Sequence, residues 1–245
     1  MLKKIAIVAG LEREVRPLVK NWPSRKVQYQ DREFTFYEGE HAVVVCGGIG
    51  LESAGSAAEA IIATIAPELV ISAGVCGALV AELHVGDTIF PAMVIDTGDG
   101  TEYRTAISKA PVGGAALGRT VLASHTTIAG AAEKQRLAKA YRAHAVDMES
   151  AAVARAAAGH SLPFLAIKSI SDELEFELPE MWQFIDQGHF QTARFLLHGG
   201  LRPWLWLRVM RLGQNTHLAA LNLCAWLRPS ALTNTIVPST IEPRT

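Results

Sequence analysis

Short, continuous apolar runs that break off at glycine or at an acid, separated by alanine-rich helical stretches, constrain this chain more than any other feature. Ile5 to Ala9, Leu69 to Ala73 and Phe164 to Ile170 are apolar at nearly every position rather than at alternate ones. Strands covered on both faces carry that pattern. Leu51 to Ile65 sets Ala57, Ile61, Ile62 and Ile65 on one side at helical spacing, and Leu11 to Lys20 does the same with Val15, Leu18 and Val19. Val27 to Tyr37 and Ala42 to Cys46 read as a meander. Asp87 to Ile95, Thr120 to Ala123 and Ala145 to Met148 read as further strands, and Ala131 to Ala143 as a helix. This order predicts an α/β protein, a three-layer α/β/α sandwich around a mixed, partly barrel-like central sheet. Thr97 to Gly114, with Asp99-Gly100 and Pro111-Val-Gly-Gly114, is the expected long loop.

In such folds ligands bind beyond the carboxyl ends of the strands, so the residues that end each run carry the functional information. Ala145-Val-Asp-Met-Glu-Ser150 passes into the alanine-rich helix Ser150 to Gly159, and Phe164 to Ile170 is expected to stop at Ser171-Asp172. Acids at the ends of neighbouring strands suit acid–base chemistry on a small polar ligand. They also suit a plainer role, because Asp147 and Glu149 would cap a helix N-terminus well.

Three glycine turns follow strands: Gly10 before Glu12, Cys46-Gly-Gly-Ile-Gly50 and Ala73-Gly-Val-Cys-Gly77. Gly48-Ile-Gly50 is half of a dinucleotide-binding pattern, but Ser53 stands where its third glycine belongs and no acid closes a second strand at the required distance. A nicotinamide cofactor is not expected, and no other cofactor is implied. A net charge of −1 gives no basic surface for nucleic acid. Cys46, Cys76 and Cys224 are too scattered for a disulfide framework or a zinc site, and they fit a reduced, cytoplasmic setting. The histidines have no ligand spacing, so no metal is expected. His125 reads as structural or solvated. Met1 to Gly10 has an apolar run too short for a signal peptide, with charges following at once, and reads as a first strand.

The C-terminal part has a different character. Gln187 to Ile241 contains no Asp or Glu, while Arg194, Arg202, Arg208, Arg211 and Arg228 recur with Trp204, Trp206 and Trp226. Leu201 to Leu212 and His217 to Leu227 read as two helices joined across Gly213-Gln-Asn215. A basic, tryptophan-bearing helix suits a membrane surface. A terminal helical pair packed on the core or across a subunit interface accounts for the same composition. The expected organisation is a catalytic domain over 1–200, a helical extension of the same domain over 201–228, and a loose tail over 229–245.

Taken in chain order, these motifs resemble those of the purine nucleoside phosphorylase and nucleosidase superfamily, most closely its methylthioadenosine/S-adenosylhomocysteine nucleosidase-like branch. Gly10-Leu-Glu-Arg-Glu14-Val is similar to its first-strand turn, Gly48-Ile-Gly50 to the second, and Gly74-Val-Cys-Gly77-Ala-Leu, leading to Val85-Gly-Asp87, to the third. Val146-Asp-Met-Glu149 resembles the ribose-binding segment, and Ser171-Asp172 the purine-binding acid. The resemblance implies cleavage of the N-glycosidic bond of a purine nucleoside, with adenine as the expected base. Asp172 would protonate the leaving base from an enclosed setting that holds its proton, and Glu14 would activate water. Met148, Glu149, Ser171, Gly77, Ile128, Val75 and Lys168 would bind substrate. A homo-oligomer is also implied.

The chain departs from that pattern in ways that keep alternatives open. Thr127, beside Ile128, stands where an aromatic commonly stacks on the base, and Val75 replaces the usual serine. Related phosphorylases carry an arginine and a serine where this chain has Ser72 and Val75, so hydrolysis is favoured over phosphorolysis, although Arg13, Arg16 and Lys168 would offset part of that loss for a phosphate. Leu201-Arg-Pro-Trp204 and the arginine-rich end are also similar to hopanoid-associated phosphorylases, which remove adenine from adenosylhopane. In that case Trp204 and Trp206 would line an exit for a 5′-lipid. The remaining alternative is a catalytically silent nucleoside-binding protein.

Overall fold

Two apolar layers form because the central strands present a different set of side chains to each face. A computed structural model describes residues 4–107, 120–176 and 203–228, with 185–186 and 189–190 as an isolated two-stranded ladder. In β1 (Ile5–Ala9), Ala6 and Val8 join one core cluster while Ile7 and Ala9 join the other. The first cluster is closed by α2 (Leu51–Ile65) and α4 (Ser150–Gly159) through Ala57, Ile61, Val153 and Ala157. The second is closed by α1 (Glu12–Val19) and the terminal helix α5 (Pro203–Trp226) through Val15, Val19, Leu223 and Leu227. Helices on both faces explain why the strands are apolar throughout.

The mixed sheet is built outward from β1 and β5 (Leu69–Ala78), which run parallel with Ile7 opposite Ile71. On the outer side of β1 lie β4 (Ala42–Cys46), β3 (Arg32–Glu38) and β2 (Ser24–Tyr29). Strand β5 holds β11 (Phe164–Asp172) along one side and changes partner on the other. It pairs with β1 as far as Ala73, and with β10 (Ala145–Asp147), antiparallel, from Gly77. Beyond β10 come β9 (Val121–Ser124), β7 (Met93–Asp96) and β8 (Glu102–Arg104), while β6 (Thr88–Ile89) pairs with β11. The sheet does not close: its path ends on β2 and β8, and β11 with β6 branches from β5. The expected α/β/α layering is present, but the barrel-like part of the expectation is replaced by this open, forked sheet.

Other boundaries moved for identifiable reasons. Asp87 to Ile95 is two strands, β6 and β7, interrupted at Pro91, which has no N–H for a ladder. The expected long loop contains β8, hydrogen-bonded to β7, and residues 108–119 lie outside the described part. Strand β11 does not stop before Ser171-Asp172. It runs through them with a register shift between Ile170 and Asp172, which brings Asp172 opposite Gly77. The two expected C-terminal helices are one helix, continuous through Gly213. A glycine in a helix interior costs about 1 kcal/mol relative to alanine, and the buried face of Ala219, Ala220, Leu223 and Cys224 outweighs that. Arg194, Arg202, the side chains of Trp204 and Trp206, and the tail over 229–245 lie outside the described residues.

Candidate active site

Where β5 leaves β1 for β10, the strand ends splay apart and open a cavity of about 180 Å³. Its walls come from the residues after β1, the middle of β5, the ends of β10 and β11, and the segment after β9, with Leu212 and Thr216 of α5 completing them. Two polar clusters face it. Both contain acids anticipated from the sequence.

The first cluster surrounds Gly10, where a β-carbon would stand 3.5 Å from Glu149 Oε1 and 3.7 Å from Glu14 Oε2. Glu14 follows the turn after β1 and is buried, in the first turn of α1. Burial and then the charge of Glu149 push its carboxyl from the ordinary 4.5 up to about 7, the range of a general base. Glu149 Oε1 accepts a hydrogen bond from the Gly50 N–H at 3.1 Å, and Oε2 accepts one from the Met148 N–H at 3.2 Å. Burial and then the neighbouring Asp147 hold its carboxyl above the ordinary value. Met148 lines the same end of the cavity.

The helix-cap reading is true of Asp147 and not of Glu149. Asp147 accepts from the Ser150 N–H at 3.1 Å and from Ser150 Oγ at 2.6 Å, which tie the first turn of α4. Lys168 Nζ lies 2.8 Å from Asp147 Oδ2, with the lysine 1% exposed. Burial opposes its charge, but Asp147 and then Glu149 outweigh that and hold the ammonium above its usual pKa. Lys168, expected among the substrate-binding residues, is not one of the residues that line the cavity. It lies behind the cavity as the buried counter-ion of three carboxylates, Asp147, Glu149 and Glu14.

The second cluster centres on Asp172. Ser171 Oγ donates to Asp172 Oδ1 at 2.7 Å, and Lys134 Nζ donates to Oδ2 at 2.5 Å. Lys134 also donates to the Glu173 carbonyl at 2.6 Å and is fully buried. The enclosed setting expected for Asp172 is present, but it includes a cation: Asp172 is one half of a buried ion pair. A β-carbon at Gly77 would stand 2.8 Å from Asp172 Oδ2 and 3.2 Å from Lys134 Cε, so only glycine lets β5 pass so close to the pair. Val75, Ile128 and Thr127 line the cavity beside it, and none supplies an aromatic ring.

Lys134 was not anticipated. Its signal is in the sequence, because it heads the stripe Lys134, Leu137, Ala138 and Tyr141 in α3 (Ala131–Tyr141), at a position where an apolar residue would be expected. The acids of this site also do not come from adjacent strands: β10 and β11 flank β5 on opposite sides. His125 is held by Thr97 Oγ1 at 2.7 Å and Glu133 at 3.3 Å and does not line the cavity, consistent with a structural role. The buried Cys76 thiol is pushed well above its ordinary pKa by burial and packs as an apolar side chain. Among possible anion ligands, Arg13 lines the cavity, whereas Arg16 does not.

The chain matches the family model described as "Phosphorylase superfamily" over residues 4–194. It is 28% identical to the 5'-methylthioadenosine/S-adenosylhomocysteine nucleosidase of Bacillus licheniformis, over 79% of this chain and 96% of that protein. It is equally similar, 28%, to the nucleosidase of the same name from Pseudoalteromonas translucida, over 79% of this chain and 94% of that one. Among solved structures, futalosine hydrolase of Helicobacter pylori superposes with a TM-score of 0.69 at 18% identity, covering 96% of this chain and 98% of that one. The Neisseria meningitidis 5'-methylthioadenosine/S-adenosylhomocysteine nucleosidase in complex with methylthio-immucillin-A gives 0.67 at 19% identity, covering 92% and 97%.

Proposed function

The chain belongs to the phosphorylase superfamily and is an enzyme of its nucleosidase kind, and from that premise we propose that it hydrolyses the N-glycosidic bond of an adenine nucleoside. The observation that carries this reading is Glu14, a buried carboxyl facing the cavity with its pKa at about 7, next to a second carboxylate, Glu149. A phosphate placed there would meet two acids, with Arg13 as the one cation among the described residues that lines this end of the cavity. Lys168 is committed to Asp147. Water activated by a general base fits that setting better than a phosphate dianion does.

Each residue then has a definite task. Glu149 accepts hydrogen bonds from the ribose hydroxyls, and its charge favours the ribosyl cation that develops as the bond to the base lengthens. Met148 packs on the sugar. Glu14 takes a proton from water as the oxygen attacks the anomeric carbon, the C–N bond breaks, and the bonding pair leaves with the base. Asp172 delivers a proton to N7 of that base. The products are the free base and a free sugar.

Asp172→Asn is expected to abolish base release, by about 10²-fold or more, while the protein remains folded. Near-normal release from this variant would remove the reading. Release by the wild type from adenosine and methylthioadenosine but not inosine would support adenine as the base. Binding without release from any of them would instead identify a catalytically silent binding protein.

A second reading concerns the 5′ substituent. Leu212 of α5 lines the cavity, and the same helix carries Leu207, Met210, Leu218 and Leu221 exposed. Its arginines, Arg208 and Arg211, have no acid on the helix to neutralise them. A long apolar 5′ group leaving the cavity along α5 accounts for that surface. Turnover of methylthioadenosine but not of a 5′-alkyl adenosine of long chain would eliminate this reading and leave hydrolysis intact.

A further inference from the structure

Lys134 is a fully buried lysine on the base side of the cavity, with no counterpart among the residues first expected to act. Burying an ammonium costs several kcal/mol unless its bonds are satisfied, so its partners show what it is for. An ammonium has three N–H donors. One goes to Asp172 Oδ2 at 2.5 Å and one to the Glu173 carbonyl at 2.6 Å. The third has no partner among the described residues, and Lys134 lines the cavity. Asp172 in turn receives Ser171 on Oδ1 and Lys134 on Oδ2, so among the described residues the cation in contact with it is the Lys134 ammonium.

We propose that Lys134 is the store of the proton that Asp172 passes to the leaving base, so that the working acid of this site is the pair and not the aspartate alone. The proposal rests on the hydrolytic reading above. As the glycosidic bond lengthens, a proton moves from Lys134 Nζ to Asp172, and a carboxyl proton moves from Asp172 to N7 of the base. The base leaves neutral, Asp172 is again a carboxylate and Lys134 is a neutral amine, to be recharged from solvent. The proton that water gives to Glu14 balances the one taken up by the base. Lys134 acts through Asp172 and is in that sense a positioning and proton-storing residue.

A base whose N7 faces Asp172 also lies beside the Lys134 ammonium, 2.5 Å from that carboxylate, so removing the lysine should weaken binding of the free base as well as its departure.

The test separates departure of the base from every other property of the site. Wild type and Lys134→Met are compared on an adenine nucleoside and on 4-nitrophenyl β-riboside, whose leaving group needs no proton. Free adenine binding is measured by calorimetry. The expected result is a loss of about 10²- to 10⁴-fold on the nucleoside, with the nitrophenyl riboside cleaved within about 10-fold of wild type and adenine bound at least 10-fold more weakly. Lys134→Arg, which keeps a cation on Asp172, should restore part of the nucleoside activity. Equal losses on both substrates, or an undiminished nucleoside rate, would overturn the proposal. If Lys134→Met does not fold, Lys134→Gln keeps a hydrogen bond to Asp172 without a proton to give, and the same outcomes decide. Absence of base release by the wild type would remove both the hydrolytic reading and the proposal, whereas release that requires phosphate would remove hydrolysis alone and leave the proton store standing.

Discussion

Glu14 sits where the fold leaves it short of compensating charge. Three carboxylates, Glu14, Asp147 and Glu149, share the buried Lys168, and Lys168 is in contact with Asp147. The consequence for stability follows from the direction of the shift. Glu14 titrates at about 7 in the folded chain against an ordinary 4.5, so the folded state holds the proton longer. The cost of its charge is absent below pH 4.5, grows as the pH rises to 7 and is complete above. Glu14→Gln should therefore match the wild type in thermal stability near pH 4.5 and exceed it by roughly 3 kcal/mol above pH 7. Catalysis should show the opposite: kcat/KM of the wild type rises through about pH 7 as Glu14 becomes a base, and the variant loses both the limb and the activity. A flat pH dependence in the wild type, or a variant less stable at pH 8, would contradict this assignment.

The acids at the strand ends were legible from residue type and position, because an apolar run that closes on Asp or Glu sets its acid at the ligand-binding edge of an α/β sheet. Their partners were harder to see. Lys134 lies in a helical stretch, where a lysine reads as a solvated residue, and Lys168 reads by resemblance as a substrate ligand and not as a counter-ion. Only the third dimension shows that each faces a carboxylate. Val75 and Ile128, expected to bind substrate, line the cavity.

Among the elements, β11 and α5 depart furthest from what their sequences predict. The register shift at the end of β11 turns Asp172 toward Gly77, and the close passage of β5 depends on that glycine. Gly77→Ala should push Asp172 and Lys134 apart and lower base release by about the 10²-fold expected for loss of a proton donor. Circular dichroism should show the sheet intact, and unchanged release would mean that the pair tolerates displacement. Helix α5 reads as two because Gly213-Gln-Asn215 has the composition of a turn. Tertiary packing of its last turns, including Trp226 edge-on to Phe90 at 5.1 Å and Asn222 donating to the Gly86 carbonyl, carries the helix through. Gly213 is exposed with nothing within 4 Å of an added β-carbon. Gly213→Ala should accordingly stabilise the protein by about 0.5–1 kcal/mol. A loss of stability in thermal unfolding would argue for a break at that point.

For the whole molecule, the order of strands and helices was readable because continuous apolar runs and helical stripes have distinct periods, and β1, β4 and α2 fall where the pattern places them. The fork of the sheet was not readable. Partner exchange along β5 depends on pairings between residues far apart in sequence, such as Gly77 with both Val146 and Asp172. That fork is what creates the site, since it parts β1 from β10 and lets Glu14, Glu149 and Asp172 face one cavity. Among the described residues no helix is long and apolar enough to cross a membrane. Leu207, Met210, Leu218 and Leu221 of α5 are exposed.

The central claim is that water, not phosphate, receives the ribosyl group. The direct measurement follows the sugar product of methylthioadenosine or adenosine cleavage by phosphorus NMR and chromatography, in phosphate-free buffer and with phosphate added. Hydrolysis predicts the same rate of adenine release in both, with free sugar as the product and no sugar 1-phosphate. Release that requires phosphate and yields the sugar 1-phosphate would contradict it.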